Sequence, residues 1–190
     1  MFLFDALMKV YVRLRLRWLR QAGLALPADC KLGGIPDFGS EPYLVHIGRH
    51  VAMGSGVSFI THDGGTHVFR HLDRYRKVIK YGHITIHDNC VIGQRAIILP
   101  GVSIGPNSVV AAGSVVSRSI PPDVLAAGNP ARPVMSIHQY AEWCLAATPD
   151  YDVEEYHRDK RAFLLKCALR GAPPDTMAAA QAPPGEADRP

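Results

Sequence analysis

The sequence lacks the features that mark disulfide-rich, zinc-binding or membrane-spanning proteins. Its four cysteines lie far apart and form no Cys-x-x-Cys pair, which argues against a zinc site and gives no disulfide framework. Charges interrupt every apolar run within residues 1–20, and no small-residue cleavage site of a secretory signal follows. The net charge of +4 is modest, and we expect no nucleic-acid partner. These absences favour a cytoplasmic protein in a reducing compartment.

Residues 1–20 combine apolar side chains with five cations and a single acidic residue, Asp5. We predict an N-terminal amphipathic helix within residues 1–25. Two roles are open for it. The favoured role is to cap the domain or to pack on a partner subunit. The alternative is peripheral contact of residues 1–20 with anionic lipid, at the inner face of the membrane.

A period of six residues runs through the middle of the chain. From Ile86 the sequence reads IHDNCV IGQRAI ILPGVS IGPNSV VAAGSV VSRSIP, and the first residue of every hexad is aliphatic and β-branched. This period fits neither an amphipathic helix nor an alternating strand. It fits a short extended face followed by a bend, with three faces closing one triangular coil.

Coils of this kind stack through parallel strands, so equivalent residues recur every 18 positions. The predicted stacked pairs are Ile86 with Ile104, Ile92 with Val110, and Ile98 with Val116. Upstream, Ile47, Met53 and Phe59 occupy the same first position. One coil alone cannot bury these side chains, so the repeats must stack to be stable.

The period stops after Phe59 and resumes at Ile86, 27 residues later, which is not a multiple of six. We therefore predict that residues 63–82 leave the coil as a loop. This loop carries three aromatic residues and five cations against two carboxylates. The cations are Arg70, Arg74, Arg76, Lys77 and Lys80. Loops on rigid scaffolds often carry function, and these cations suit the phosphates of a cofactor or an acidic glycan.

The stretch IGQRAIILPGVSIGPNSVVAAGSVVSRSIPPDVLAAGNPARPV resembles the hexapeptide-repeat acyltransferases, which use acetyl-CoA. FITHDGG followed by a basic loop resembles the polysaccharide and sugar O-acetyltransferases among them. The resemblance covers roughly residues 40–135. It implies an all-β solenoid, a left-handed parallel β-helix, that forms a homotrimer with active sites at subunit interfaces. The handedness comes from the family alone, because crossovers between parallel strands are normally right-handed.

His62 lies at the root of the loop, where the regular coil ends. A neutral imidazole can take a proton from an attacking hydroxyl, and its conjugate acid can protonate a departing thiolate. The resemblance points to the same residue as the catalytic base of direct attack on the thioester. His67, His71 and His83 are alternative bases, and a purely structural His62 is also open.

Asp63 is the candidate for the group that orients the imidazole. Adjacent residues of an extended chain point to opposite sides, so this role requires a turn, which the following Gly64-Gly65 permits. Asp73, Asp88 and a backbone carbonyl are the other partners that the sequence allows.

The resemblance implies that acetyl-CoA lies along the groove between neighbouring coils. The residues that it assigns to this cofactor are Gln94, Ala112, Ser117, Arg118 and Arg132. The two arginines suit phosphate groups, because a planar guanidinium pairs with two oxygens. The family often has lysine at the position of Arg118. No metal is expected.

The predicted domain covers residues 26–134. Residues 135–171 are predicted to form C-terminal helices, over 135–147 and 153–170, that cap the open end of the coil. Residues 172–190 are rich in Ala and Pro, and we predict a disordered tail.

The sequence therefore predicts an acetyl-CoA-dependent O-acetyltransferase acting on a hydroxyl of a sugar or polysaccharide precursor. One alternative is a zinc enzyme that resembles the γ-carbonic anhydrases, with His62 and His67 as two ligands. Its third ligand is expected two coils upstream, where the chain has Leu26. Another alternative is a non-catalytic coil that binds a sugar or holds a complex together.

Overall fold

A computed structural model describes residues 2–148 and 150–168. The chain divides into two units, Met1–Ile137 and His138–Pro190. The predicted tail over residues 172–190 lies outside the described residues.

The first unit begins with helix α1, Phe2–Gln21. Near its end, Leu19 is fully buried in the core, and Leu16 packs against that core from a partly buried position. On another face of the helix, four exposed apolar side chains recur every three to four residues. They are Leu7, Tyr11, Leu14 and Trp18. No helix in the described part of the chain is long and apolar enough to cross a membrane.

Twelve strands are found among the described residues of the first unit, and most are only two or three residues long. They are β1 Lys31–Leu32, β2 Val45–Ile47, β3 Ala52–Met53, β4 Ser58–Phe59, β5 Ile84–Ile86, β6 Val91–Ile92, β7 Ile97–Ile98, β8 Ser103–Ile104, β9 Val109–Val110, β10 Val115–Val116, β11 Val124–Gly128 and β12 Ala131–Ser136. These strands form three sheets, in the orders β1-β3-β6-β9-β11-β12, β10-β7-β4 and β2-β5-β8. All of these pairings are parallel except that of β11 with β12, which is antiparallel.

The pairing register is the one that the hexads predict. The structure pairs Ile86 with Ile104, Ile92 with Val110, and Ile98 with Val116. Across the break, Ile47 pairs with Ile86, Met53 with Ile92, and Phe59 with Ile98. These first-position side chains are almost completely buried. Each aliphatic side chain buried in this way contributes roughly 1.5 to 3 kcal/mol of hydrophobic stabilisation.

The break between β4 and β5 is a loop with a hydrogen-bonded stem. The Gly82 N–H donates to the Thr61 carbonyl and the Asp63 N–H donates to the Lys80 carbonyl, both at 2.9 Å. Beyond this stem the chain forms two 3₁₀ helices, Gly64–Val68 and Asp73–Tyr75. The stem fixes the two ends of the loop, so strand pairing resumes in register on the far side.

The second unit contains most of helix α2, Ile137–Ala147, followed by α3, Val153–Arg158, and α4, Lys160–Ala168. The single helix predicted over residues 153–170 is therefore divided at Asp159. The carboxylate of Asp159 accepts a hydrogen bond of 3.0 Å from the Ala162 N–H, which caps the start of α4. The predicted capping of the coil by these helices stays a prediction.

Candidate active site

His62 lies where the face that contains β4 ends and the loop stem begins. It forms an isolated antiparallel bridge with Tyr81, and the two ring centroids are 5.5 Å apart. The imidazole is 42% exposed, so the stem holds its backbone while its ring stays accessible.

Glu41 contacts the imidazole from the preceding coil. Its Oε2 lies 3.1 Å from His62 Nδ1 and accepts a 2.6 Å hydrogen bond from the hydroxyl of buried Thr61. The Thr61 hydrogen bond is the largest cause of a lowered pKa for Glu41, and His62 adds to it. Because an ionised carboxylate only accepts hydrogen bonds, a hydrogen bond between Nδ1 and Glu41 requires the proton on Nδ1. In a neutral ring with that proton on Nδ1, the lone pair is on Nε2.

The sequence alone does not indicate Glu41 as a partner of His62. The contact between Glu41 and His62 follows from the spacing of equivalent residues in the first coils, which is 21. Asp37 bridges Ser58 and the ring of Phe38 stacks on Phe59 at this spacing. Glu41 precedes His62 by the same 21 residues. In the structure, Phe38 and Phe59 mark this spacing of 21 residues, because their rings stack with centroids 5.0 Å apart.

The carboxylates that the sequence offered as partners of His62 bind elsewhere. Asp63 accepts a hydrogen bond from the Gly65 N–H at 2.9 Å and pairs with Lys80 Nζ at 2.8 Å, and Lys80 is the main cause of its lowered pKa. Asp73 pairs with Arg76, and Asp88 accepts from the Arg49 N–H. Asp63 therefore caps the first 3₁₀ helix of the loop, while Glu41 contacts the imidazole.

The alternative bases are distributed around the loop. His67 lines a cleft beside His62. His71 is exposed near the tip. His83 follows the stem, and its Nδ1 lies 3.2 Å from Nε2 of His46. Of the four candidate bases, His62 is the one whose ring nitrogen contacts a carboxylate oxygen among the described residues, that of Glu41.

Two clefts meet at a shared set of residues, His62, Asp63, Gly64 and Lys80. The loop cleft, about 220 Å³, continues along Thr66, His67, Arg70 and Tyr81. The coil cleft, about 410 Å³, continues along Ile60, Leu99, Pro100 and Ser117. The loop cleft is thus lined by polar and charged groups, and the coil cleft is mainly apolar beyond the shared residues. Both clefts therefore border the His62 side chain.

The coil cleft follows the sheet β4-β7-β10. Ile60, Leu99 and Ser117 each come directly after one of its strands, and their predecessors pair across the sheet. This alignment gives the cleft a straight edge along the direction in which the strands stack.

Of the five residues assigned to the cofactor, Ser117 lines the coil cleft. The Gln94 carbonyl accepts a hydrogen bond from the Gly113 N–H, one layer along the stack, and Ala112 is exposed beside it. Arg118 and Arg132 are exposed, and the Arg132 guanidinium donates to the Ala131 carbonyl at 2.8 Å. Neither arginine lines the two clefts.

The zinc alternative would need three ligands that converge. His62 and His67 both line the loop cleft. Within residues 2–148 and 150–168, no group of three His, Cys, Asp or Glu side chains is arranged to hold a metal ion.

Comparison with known proteins agrees with the repeat pattern. The family model "Bacterial transferase hexapeptide (six repeats)" matches residues 83–118. Protein CapG of Staphylococcus aureus is 40% identical over 149 residues, which cover 77% of this chain and 85% of CapG. The galactoside O-acetyltransferase of Escherichia coli K12 is 39% identical over 98 residues, but the match spans only 47% of that relative.

Among solved structures, a maltose O-acetyltransferase from Clostridium difficile 630 superimposes with a TM-score of 0.50. It is 26% identical, and the match covers 64% of this chain and 74% of that one. The extent of the similarity to CapG, together with the repeat match, identifies the family. The chain belongs to the hexapeptide-repeat acyltransferase family.

Proposed function

We propose that this protein is an acetyl-CoA-dependent O-acetyltransferase that modifies a hydroxyl of a sugar or polysaccharide precursor, with His62 as the general base. The observation that carries the proposal is the position of the His62 ring, held by Glu41 at the junction of two clefts. Such a junction lets two substrates approach one imidazole from different sides. The names of the relatives, which include galactoside and maltose O-acetyltransferases, support the acetyl group and the sugar acceptor.

In the proposed reaction, the acceptor hydroxyl donates its proton to Nε2 of His62 while its oxygen attacks the thioester carbonyl carbon. The resulting imidazolium is stabilised by Glu41, which lies 3.1 Å from Nδ1. The tetrahedral intermediate then collapses, the carbon–sulfur bond breaks, and the proton on Nε2 passes to the departing thiolate. The products are the acetyl ester and CoA, and His62 returns to its neutral form.

For the cofactor, we propose that the pantetheine arm lies in the coil cleft. The exposed apolar side chain of Ile60 and the half-buried Leu99 would contact its methylene groups, and Ser117 would meet a polar group. Gln94 and Ala112 are proposed to offer main-chain and side-chain contacts further along the stack, with Arg118 and Arg132 at the phosphates. Support for these roles comes from their exposure and from the repeat register. Asp63 is proposed to act indirectly, by pairing with Lys80 and capping the loop turn.

We also propose that the stacked sheets wind as a left-handed parallel β-helix and that three copies assemble into a trimer. The loop supports the assembly, because it exposes large apolar side chains beside the clefts. These are Val68, Leu72, Ile79 and Tyr81. A neighbouring subunit that covered them would also complete the wall of the acceptor site. Peripheral membrane contact through residues 1–20 stays a prediction.

The proposal is tested by His62→Ala. Acetyl transfer from acetyl-CoA to a panel of sugars, measured as CoA release, should fall by about 100-fold or more because proton transfer is lost. Binding of CoA, followed as an increase in melting temperature, should remain, since the coil cleft keeps its other walls.

His71→Ala is the matched control, because His71 lies on the same loop but is exposed and lines neither cleft. The rate of acetyl transfer by His71→Ala should equal that of the parent protein. An active His62→Ala protein would remove His62 as the base. A parent protein that neither transfers acetyl groups nor gains stability from CoA would favour the non-catalytic alternative.

A further inference from the structure

Among the cations that line the loop cleft, Arg70 has no carboxylate partner in the described part of the chain. Asp63 pairs with Lys80 at 2.8 Å, so the charges of these two residues offset each other. Arg70 lines the same cleft, and no Asp or Glu among the described residues lies within ion-pair distance of its guanidinium. The cleft beside His62 therefore has an excess of positive charge located at Arg70.

The guanidinium of Arg70 is also held in place. Its Nε donates a 2.7 Å hydrogen bond to the carbonyl of Val78, on the returning arm of the loop. This hydrogen bond uses the Nε–H of Arg70. The N–H groups of the two terminal nitrogens, Nη1 and Nη2, stay available for another partner. A fixed guanidinium suits the two oxygens of a carboxylate or phosphate group and loses little side-chain freedom on binding.

We infer that the loop cleft selects an acceptor that carries an anionic group, the carboxylate of a uronic acid or the phosphate of a sugar phosphate, and that Arg70 binds this group. The inference rests on the proposed function, since it assigns a substrate class to the cleft in which the acceptor hydroxyl would meet His62. A cleft of about 220 Å³ is small for a drug-sized ligand, which typically occupies roughly 300 to 1,000 Å³, and suits a single sugar unit.

The acceptor is favoured over the cofactor as the source of the anion. None of the five residues assigned to acetyl-CoA lines the loop cleft, and Ser117 lines the other one. Arg70 and the cofactor candidates thus lie along different clefts that meet at His62.

The test compares the parent protein with Arg70→Gln, using galacturonate, galactose 1-phosphate and neutral methyl galactoside as probes. Binding of each probe is measured by saturation-transfer NMR or calorimetry, without acetyl-CoA. The parent should bind at least one of the two anionic probes more tightly than the neutral one. Arg70→Gln should weaken that binding by roughly 10- to 100-fold, the effect of one lost charge-assisted pair, and leave the neutral sugar unchanged.

Arg74→Gln is the matched control. Arg74 is an exposed cation on the same loop, its guanidinium lies over the Tyr75 ring, and it does not line the cleft. Arg74→Gln removes one positive charge from the loop, as Arg70→Gln does. Equal loss of affinity in the two variants would indicate a general electrostatic attraction of the anion to the loop and would overturn the inference. Arg70→Lys keeps the charge without the planar fork, and it should lose part of the affinity.

The probes separate the two sources of the anion, because binding of galacturonate alone indicates a carboxylate and binding of galactose 1-phosphate alone indicates a phosphate. The inference is overturned if the parent binds neither anionic probe more tightly than methyl galactoside. It is also overturned if Arg70→Gln mainly raises the Michaelis constant for acetyl-CoA. Failure of the proposed function has a different signature, namely binding of the sugars with no acetyl transfer to any of them.

Discussion

At the scale of single residues, the imidazole of His62 contacts a carboxylate from an earlier coil. The Thr61 hydroxyl and the His62 ring both contact Oε2 of Glu41, which is 14% exposed. The lowered pKa of Glu41 means that the folded protein favours its ionised form. The resulting stabilisation is present above the ordinary pKa of a carboxyl group, and it is lost as the pH falls through the lower pKa of the folded state.

Glu41→Gln should therefore reduce turnover more than substrate binding. The uncharged amide supports the imidazolium less well and holds the ring less firmly, and we expect kcat to fall roughly 10- to 100-fold. The Michaelis constants for acetyl-CoA and the sugar should change little, because Glu41 lines neither cleft. Steady-state kinetics with both substrates varied measures this division.

Asp73→Ala is the control for Glu41→Gln. It also removes a carboxylate, but the partner of Asp73 is Arg76 at the loop surface. Equal turnover in Glu41→Gln and the parent protein would show that the contact with His62 is only structural.

The sequence predicts that His62 lies at the root of the loop, as it does in the structure, but it does not predict the contact with Glu41. His62 stands out because a strict period ends beside it. Glu41 lies in the first coil, where the spacing to the next coil is 21 residues instead of 18 and the hexads are hard to recognise. A carboxylate that reaches its partner across coils is predictable only after the register is known.

At the scale of elements, a glycine directly after a short strand allows the chain to approach the adjacent layer closely. A Cβ added at Gly93 would meet the backbone of Ala111 and Ala112 in the adjacent layer. The added Cβ is fixed to the backbone of Gly93, and the atoms that it meets are backbone atoms. Rotating a side chain therefore cannot relieve the collision. This explains why the second position of the hexad is glycine, which has no Cβ, at Gly93 and Gly105.

We accordingly predict that Gly93→Ala lowers the free energy of unfolding by about 1 to 3 kcal/mol, the usual cost of overpacking. Gly64→Ala, at a position with no atom within 4 Å of the added Cβ, should change it by less than about 0.5 kcal/mol. Chemical denaturation of the two variants measures the difference. Equal stability of the two would mean that the layers can separate to admit a methyl group.

The elements outside the repeat were harder to predict than the strands. The hexads give the pairing of Ile86 with Ile104 directly, because one physical rule repeats along the chain. The first 3₁₀ helix of the loop and the start of α4 are each capped by a single side chain, Asp63 and Asp159 respectively. Caps of this kind leave no periodic signal.

At the scale of the whole molecule, the loop has an apolar surface that would be exposed to solvent in a monomer. Val68 is 75% exposed and Ile79 is 67% exposed, and each is adjacent in sequence to a residue that lines the loop cleft. Trimer formation would bury such side chains and would also add a subunit wall to the acceptor site.

Ile79→Glu should therefore shift the protein from trimer to monomer in sedimentation experiments and reduce acetyl transfer along with assembly. Leu145→Glu is matched in exposure, at 68%, but lies on α2 in the second unit. It should leave the trimer intact. A parent protein that sediments as a fully active monomer would contradict the proposed assembly.

The stem of the loop has a consequence for how this scaffold diversifies. Hydrogen bonds at Thr61–Gly82 and Asp63–Lys80 close the stem independently of the residues beyond it. The segment between them can therefore be exchanged without opening the stem. Under the proposed function, natural variation or grafting there would alter the choice of acceptor. The stacked strands proposed to hold the acetyl donor would keep their geometry.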